Sequence, residues 1–369
     1  MEADRKTRMN LMEIDPWSNR LIENYDKLYA EFGMKQVDEK IRAKLVKNRY
    51  FRRGLVAGHR DFDLWLAAAA KHQPIAAMSG IKPSGEFHMG SKMTAEELIF
   101  LQRDFGAKVF YSIADLEANA DNGLSLEEGL KNAVSNVADM LALGLDEKNA
   151  YIWLQSREKR VMNFAYLAAR RTTLATMQAL YGDKNLGLYF STLTQAGDIV
   201  LPQHADFGGP KHVVVPVGFD QDPHLRLTRD LAAKFGLISP SSTYHVFMRS
   251  LDGNEKMSKR DPMNLITLAD EPEVAKKKVS RAFTGGRATV EEQRRIGAEY
   301  HKCVVAELER FHFEEDDKKI EERKKKCLTG EILCGECKKE VCEKVASYLK
   351  NHQEKKKKLL PKAEKILEK

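Results

Sequence analysis

Ile75-Ala76-Ala77-Met78 leads through Ser79 into Lys82-Pro83-Ser84-Gly85-Glu86-Phe87-His88-Met89-Gly90-Ser91, and then into a helical pattern that contains Leu98, Ile99 and Leu101. Pro74 to Ser79 is short and apolar, as a buried parallel strand is. A strand, a loop bearing Gly and Ser, and a helix together form a plausible phosphate-binding unit. Its backbone N–H groups and the helix N-terminus can face an anion. Val109 to Ala114 reads as a second strand and completes a β-loop-α-β unit. Downstream, Val213-Val214-Val215-Pro216-Val217 is the clearest strand of the chain, and Pro216 marks an irregularity in it. It runs into Gly218-Phe219-Asp220-Gln221-Asp222-Pro223-His224. There Asp222 reads as an N-cap, with Pro223 at the first helical position and a helix ending near Gly236. Open α/β sheets bind ligands at the carboxyl ends of their strands. Ser79 to Ser91 and Gly218 to Asp222 are therefore expected to border one crevice. Lys256-Met257-Ser258-Lys259-Arg260, entered through Gly253 and Asn254, is a basic loop able to reach it as a lid.

With 369 residues the chain is too long for one small core. Residues 1–73 read as an N-terminal layer, mostly helical, with a turn at Asp15-Pro16-Trp17. Its helix carries Leu21, Tyr25, Leu28 and Phe32 and stops at Gly33. Arg52, Arg53 and His59-Arg60-Asp61 read as surface salt-bridge residues in preference to active-site neighbours. Residues 74–266 form a Rossmann-type parallel sheet domain with a helical insertion at about 121–210. That insertion holds a strand candidate at Tyr151 to Leu154 and a helix over Ala169 to Leu180. Residues 267–369 carry no strand signal and read as an all-helical C-terminal domain. The fold class is α/β. No apolar run approaches the ~20 residues of a membrane span. The N-terminal residues carry no charged-then-apolar signal, so a cytosolic chain is expected. The net charge of +7 permits a polyanionic partner without requiring one. Lys355 to Lys358 are consecutive, either a solvated helix end or a nucleic-acid contact.

The five cysteines begin at Cys303. A disulfide framework would not leave the preceding residues empty, so the clustering points to a metal or a cluster. Cys303, Cys327, Cys334 and Cys337 follow the pattern C-x23-C-x6-C-x2-C, with Cys342 beyond. Four thiolates suit zinc or an iron–sulfur cluster, unligated thiols being the third reading. Cys342 could replace any one of the four.

The Pro-Ser-Gly-x-x-His-x-Gly loop paired with a downstream Lys-Met-Ser-Lys resembles the two signatures of class I aminoacyl-tRNA synthetases. Asp220-Gln221-Asp222-Pro223, Thr228-Arg229-Asp230, Ala282-Phe283-Thr284-Gly285-Gly286-Arg287 and Thr329-Gly330-Glu331 are similar to the archaeal and eukaryotic tryptophanyl type. The resemblance implies ATP- and Mg2+-dependent formation of tryptophanyl-adenylate from L-tryptophan. Transfer to tRNA(Trp) follows, with a helical domain that reads the anticodon, and a homodimer. It assigns catalytic roles to His88, Lys256, Ser258 and Lys259. It places ATP against Ser84, Gly85, His88, Gly90, Ser91, Gly218, Asp220, Lys256, Met257 and Lys259. It places tryptophan against Met78, Tyr111, Gln195, Asp198 and Gln221. Some members carry a similar Cys spacing that holds a [4Fe–4S] cluster, which implies the same, or zinc, at Cys303, Cys327, Cys334 and Cys337.

The chain departs from the family pattern in several places. Ser91 stands where the first signature usually ends in His, and Arg260 where the second usually ends in Ser. Met78 replaces a Tyr and Tyr111 a Gln in the amino-acid pocket. Asp198 falls where tyrosyl enzymes read the phenol. A tyrosine-specific synthetase and a non-catalytic RNA-binding or redox-sensing paralogue are therefore the competing readings.

Overall fold

The computed structural model describes residues 16, 17, 29, 32–254, 256, 257 and 261–368. The expected helix through Leu21, Tyr25 and Leu28 lies outside them, as do Asp15, Ser258, Lys259 and Arg260. Seven strands form one sheet: β1 Lys35–Gln36, β2 Val56–Arg60, β3 Ile75–Ile81, β4 Lys108–Ile113, β5 Ala150–Leu154, β6 His212–Gly218 and β7 Ser241–His245. Their order is β1-β2-β7-β6-β3-β4-β5. The pairs from β7 through β6, β3 and β4 to β5 are all parallel. From β3 the chain winds outward to β4 and β5, then returns across the sheet to β6 and β7. This is the doubly wound Rossmann order, and its switch point lies between β3 and β6.

The parallel strands form where the sequence is continuously apolar. Val213, Val214 and Val215 are all buried, and each contributes about 1.5–3 kcal/mol by leaving water. β1, β2 and β7 carry no strand signal in the sequence, and β1 and β2 fall within the stretch read as mostly helical. β2 is antiparallel to both β1 and β7. β7 reads Ser241-Ser242-Thr243-Tyr244-His245, without an apolar pattern, yet every residue in it is buried. Tertiary partners satisfy it: Ser241 Oγ donates to the Asp61 carbonyl at 2.8 Å, and Tyr244 OH to Asp222 Oδ1 at 2.6 Å.

Two local expectations are corrected. Asp222 is not an N-cap. The 3-10 turn Phe219–Gln221 feeds straight into the helix Asp222–Lys234, so Asp222 is already helical. Its fully buried carboxylate pairs with Arg60 at 2.8 Å. The segment Ala169 to Leu180 is not one helix. The helix Lys159–Ala169 ends before Thr172, and a new one, Leu174–Tyr181, starts behind the Thr173 cap. The Thr173 side chain accepts from the Thr176 N–H, an alternative that short hydroxyl side chains offer to helix continuation.

After Leu268 the described elements are all helical, ending in the 34-residue helix Cys334–Leu367. That helix, with the buried stripe Val341, Val345, Leu349, His352, Lys356, packs on the helices Pro272–Arg281 and Leu126–Leu143. There Asp139, with no exposed surface, accepts from Lys356 Nζ at 2.8 Å and lies 2.7 Å from His352 Nε2. The run Lys355 to Lys358 is thus not one solvated face, because Lys356 turns inward. Arg52 and Arg53 both pair with Asp317, joining the N-terminal layer to the helical region. No helix among the described residues is long and apolar enough to cross a membrane.

Candidate active site

The sheet opens at its switch point. β3 pairs with β6 only from Ile75↔His212 to Ala77↔Val214, whereas β6 stays paired with β7 through Gly218↔His245. Beyond Val214, the Pro216 carbonyl points toward β3 and accepts from Ser79 Oγ at 2.9 Å. The edge of Pro216 facing β3 is therefore the edge on which proline has no N–H to offer. The ladder cannot close, and two cavities occupy the gap: an outer cleft of about 550 Å³ and an inner one of about 260 Å³. They share Gly80, Lys82, Ser91, Thr94, Gly218 and Gln221. Gly80 is required there, because a Cβ would sit 2.7 Å from the Ser112 carbonyl oxygen.

The outer cleft brings the separated stretches together. Ser84, His88, Gly90, Ser91, Gly218, Asp220, Lys256 and Met257 all line it. Gly85 does not, and its carbonyl accepts from Asn136 Nδ2 at 3.1 Å. His88 is the N-cap of the helix Met89–Phe105, where its Nδ1 accepts from the Gly90 and Ser91 N–H groups. The other ring nitrogen, Nε2, stands 3.2 Å from Ser91 Oγ. Gly90 makes this possible, because a Cβ there would lie 2.9 Å from His88 Cε1. Lys256 Nζ reaches Asp220 Oδ2 at 2.7 Å and lies over the Phe247 ring. The Lys256 loop is rooted in both the sheet region and the helical region that follows it. Met257 N–H donates to Met248 O, and Lys256 bridges to Arg249. Arg249 is in turn held by Glu307 at 2.7 Å and by the His301 carbonyl. Ser258 and Lys259 lie outside the described residues.

The inner cavity holds the predicted amino-acid residues Met78, Tyr111, Gln195, Asp198 and Gln221. Met78 and Tyr111 are almost wholly buried, and burial pushes the Tyr111 hydroxyl far above its usual range. Asp198, on the helix Leu186–Val200, is 1 % exposed. Burial pushes its carboxyl up to about 7, against the pull of the hydrogen bonds from Gln155 and Trp153. Lining residues that no motif marks include Glu117 and Gln155 in the inner cavity and His245 in the outer cleft. Glu117 is a carboxylate raised by burial and lying 3.8 Å from Lys82, which also binds Asp121. His245 is held neutral by burial that lowers it to about 4. Only the fold gathers these three.

The sequence model described as tRNA synthetases class I (W and Y) matches residues 70–350. The chain belongs to that family. Curated tryptophan–tRNA ligases resemble this synthetase over nearly their whole length. The Aeropyrum pernix protein is 43 % identical over 350 residues, covering 92 % of this chain and 94 % of its own. The Methanopyrus kandleri protein is 44 % identical over 347 residues, covering 91 % of each chain. The crystal structure of tryptophanyl-tRNA synthetase from Aeropyrum pernix superposes with a TM-score of 0.89 at 42 % identity. It covers 94 % of this chain and 96 % of that one.

Four of the five cysteines of this synthetase face one place in the structure. Cys303, Cys327, Cys334 and Cys337 line one small cavity, of about 20 Å³, and all are free thiols. Among the described residues, however, no three His, Cys, Asp or Glu side chains stand so as to hold a metal ion. Cys334 exchanges contacts with Gln293, and Cys337 accepts from Arg323 Nη1 at 3.4 Å. Cys342 faces elsewhere, donating to the Lys276 carbonyl.

Proposed function

We propose that the chain activates L-tryptophan with ATP and transfers it to tRNA(Trp), acting as a tryptophan–tRNA ligase. The observation that carries this reading is the pair of joined cavities at the switch point. One is lined by both signature stretches, the other is amino-acid-sized, and they share a mouth. A carboxylate oxygen of the amino acid attacks the α-phosphorus, the bond from that phosphorus to the β-bridging oxygen breaks, and pyrophosphate leaves. The terminal ribose hydroxyl of tRNA then attacks the acyl carbon and releases AMP. Positioning and charge neutralisation supply the catalysis, so no protein nucleophile is needed. Gln221 orients the amino acid at the mouth, and Gly218 borders the ATP side of it. His88 offers Nε2 to phosphate from the helix N-terminus. Lys256 moves from Asp220 to the phosphates, and Asp220 is then available to the ribose. Lys259 and Ser258 complete the loop that closes on pyrophosphate. Mg2+ bound with ATP would supply further neutralisation of the phosphate oxygens. Tryptophan-dependent ATP–pyrophosphate exchange tests the reading. Exchange with tyrosine alone would transfer the assignment to a tyrosyl enzyme.

The helical region is the proposed tRNA-reading part. Lys355, Lys357 and Lys358 are exposed on its last helix, and binding through them should weaken steeply with salt. A cytosolic location, where thiols stay reduced, is part of this proposal. The family resemblance supports a homodimer. Light scattering should give twice the chain mass of 42.0 kDa, and a monomer that charges tRNA would refute it. It also supports a [4Fe–4S] cluster at Cys303, Cys327, Cys334 and Cys337. Four thiols lining one cavity suit a sulfur-ligated group. Anaerobically purified protein should then be brown, with four irons per chain. Colourless protein, or protein with one zinc, would rule the cluster out.

A further inference from the structure

The inner cavity has two ends. Lys82, Ser91, Gly218 and Gln221 belong also to the outer cleft and form its mouth. A carboxylate that attacks a phosphorus must lie there. The side chain of the bound amino acid therefore extends to the far end, where Met78, Gln155 and Asp198 line the inner cavity alone. An indole N–H can only donate, so a tryptophan side chain needs an acceptor at that end.

Asp198, which lines that end, is already engaged. Its Oδ1 accepts from Trp153 Nε1 at 2.9 Å, and its Oδ2 from Gln155 Nε2 at 2.5 Å. The second bond orients the Gln155 amide, since a carboxylate accepts and the amide must turn its NH2 toward it. The carbonyl Oε1 is left over. That oxygen is buried and has no hydrogen-bond partner in the described structure, and Gln155 itself is 1 % exposed. A buried carbonyl without a donor is costly in the empty protein, and a ligand N–H relieves it. Met78 adds a polarisable thioether suited to a flat aromatic ring.

We propose that Gln155 Oε1 accepts the indole N–H of bound tryptophan, and that Asp198 is a positioning residue that holds the Gln155 amide in the accepting orientation. This rests on the tryptophan reading given above and adds the atom that recognises the ring.

The test compares tryptophan with β-(3-benzothienyl)alanine, in which sulfur replaces the indole N–H, by ATP–pyrophosphate exchange on the full chain. The wild type should prefer tryptophan by about 10–100-fold in kcat/KM, mostly through KM. Gln155→Met, similar in size and without a strong acceptor, should lower kcat/KM for tryptophan by a similar factor and bring the two substrates to near equality. Asp198→Asn should also shrink the preference, because the side-chain amide that replaces the carboxyl can donate as well as accept and no longer fixes which way the Gln155 amide faces. A merely structural role would lower both substrates together and leave the ratio intact. Equal use of both substrates by the wild type overturns the proposal without any variant, which covers the case in which Gln155→Met fails to fold. An unchanged preference in Gln155→Met and Asp198→Asn overturns it as well. Failure of the wild type to exchange with tryptophan, with exchange on tyrosine, would instead overturn the parent reading.

Discussion

Glu97→Gln should stabilise the protein increasingly as pH rises. Glu97 sits on the helix Met89–Phe105 with 1 % of its surface exposed. Its carboxylate accepts from Thr243 Oγ1 on β7 at 2.5 Å, the one interaction named as opposing its burial among the described residues. Burial pushes its carboxyl from an ordinary 4.5 up to about 8. The folded state therefore holds the proton more tightly than the unfolded state does. The stabilisation from that tighter hold is fully present below about pH 4.5, is lost as pH rises toward 8, and stays lost above it. At 1.36 kcal/mol per unit, the loss is about 2 kcal/mol by pH 6 and about 5 kcal/mol by pH 9. Glutamine cannot ionise and carries none of this dependence. Its own packing and hydrogen-bond change is constant with pH, so the stability difference between variant and wild type should grow by about 3 kcal/mol from pH 6 to pH 9. Urea unfolding at both pH values measures it directly. A difference that stays constant would show that Glu97 titrates normally, and that the layer between the signature helix and β7 is wetter than its burial implies.

Lys256→Ala should lower the rate of adenylate formation about 100- to 1000-fold, the usual cost of removing one donor aimed at transition-state charge. Exchange kinetics should show the loss in kcat rather than in the KM for tryptophan, since Lys256 lines only the outer cleft. Gly80→Ala should weaken both substrates in equilibrium dialysis, because the added Cβ meets the Ser112 carbonyl at 2.7 Å in the shared mouth. Weakening of ATP alone would count against a common mouth. Asp139→Ala should destabilise the chain by about 3–5 kcal/mol, leaving Lys356 and His352 buried without their carboxylate. Denaturant melts should show it, and Asp139→Ala with Lys356→Met should recover part of the loss.

The parallel strands, the signature loop and the crevice could be read because each rests on a local pattern: a continuous apolar run, a Gly-bearing turn, a strand running into a helix. β7 could not be read, because Ser241, Thr243 and Tyr244 are satisfied by Asp61, Glu97 and Asp222, all distant in sequence. Asp222 looked like a cap because its neighbours suit one, and Arg60 is what claims it. Met78, Tyr111, Gln195, Asp198 and Gln221 do gather in one cavity. The way the cavity is wired is nevertheless tertiary. Asp198 is taken by Trp153 and Gln155, so the acceptor it leaves free belongs to a residue with no motif around it.

Pro216 bears on more than the path of one strand. Its ring holds the β3–β6 gap open whether or not anything is bound, since no rotation restores an N–H that the residue never had. The crevice is therefore a fixed property of the chain rather than a state it must visit. Ligands arriving there need not prise apart paired strands, and the interaction energy they would have lost in doing so is retained as affinity. Replacing Pro216 with a residue that carries an N–H would give the sheet a way to heal, in competition with its own substrates.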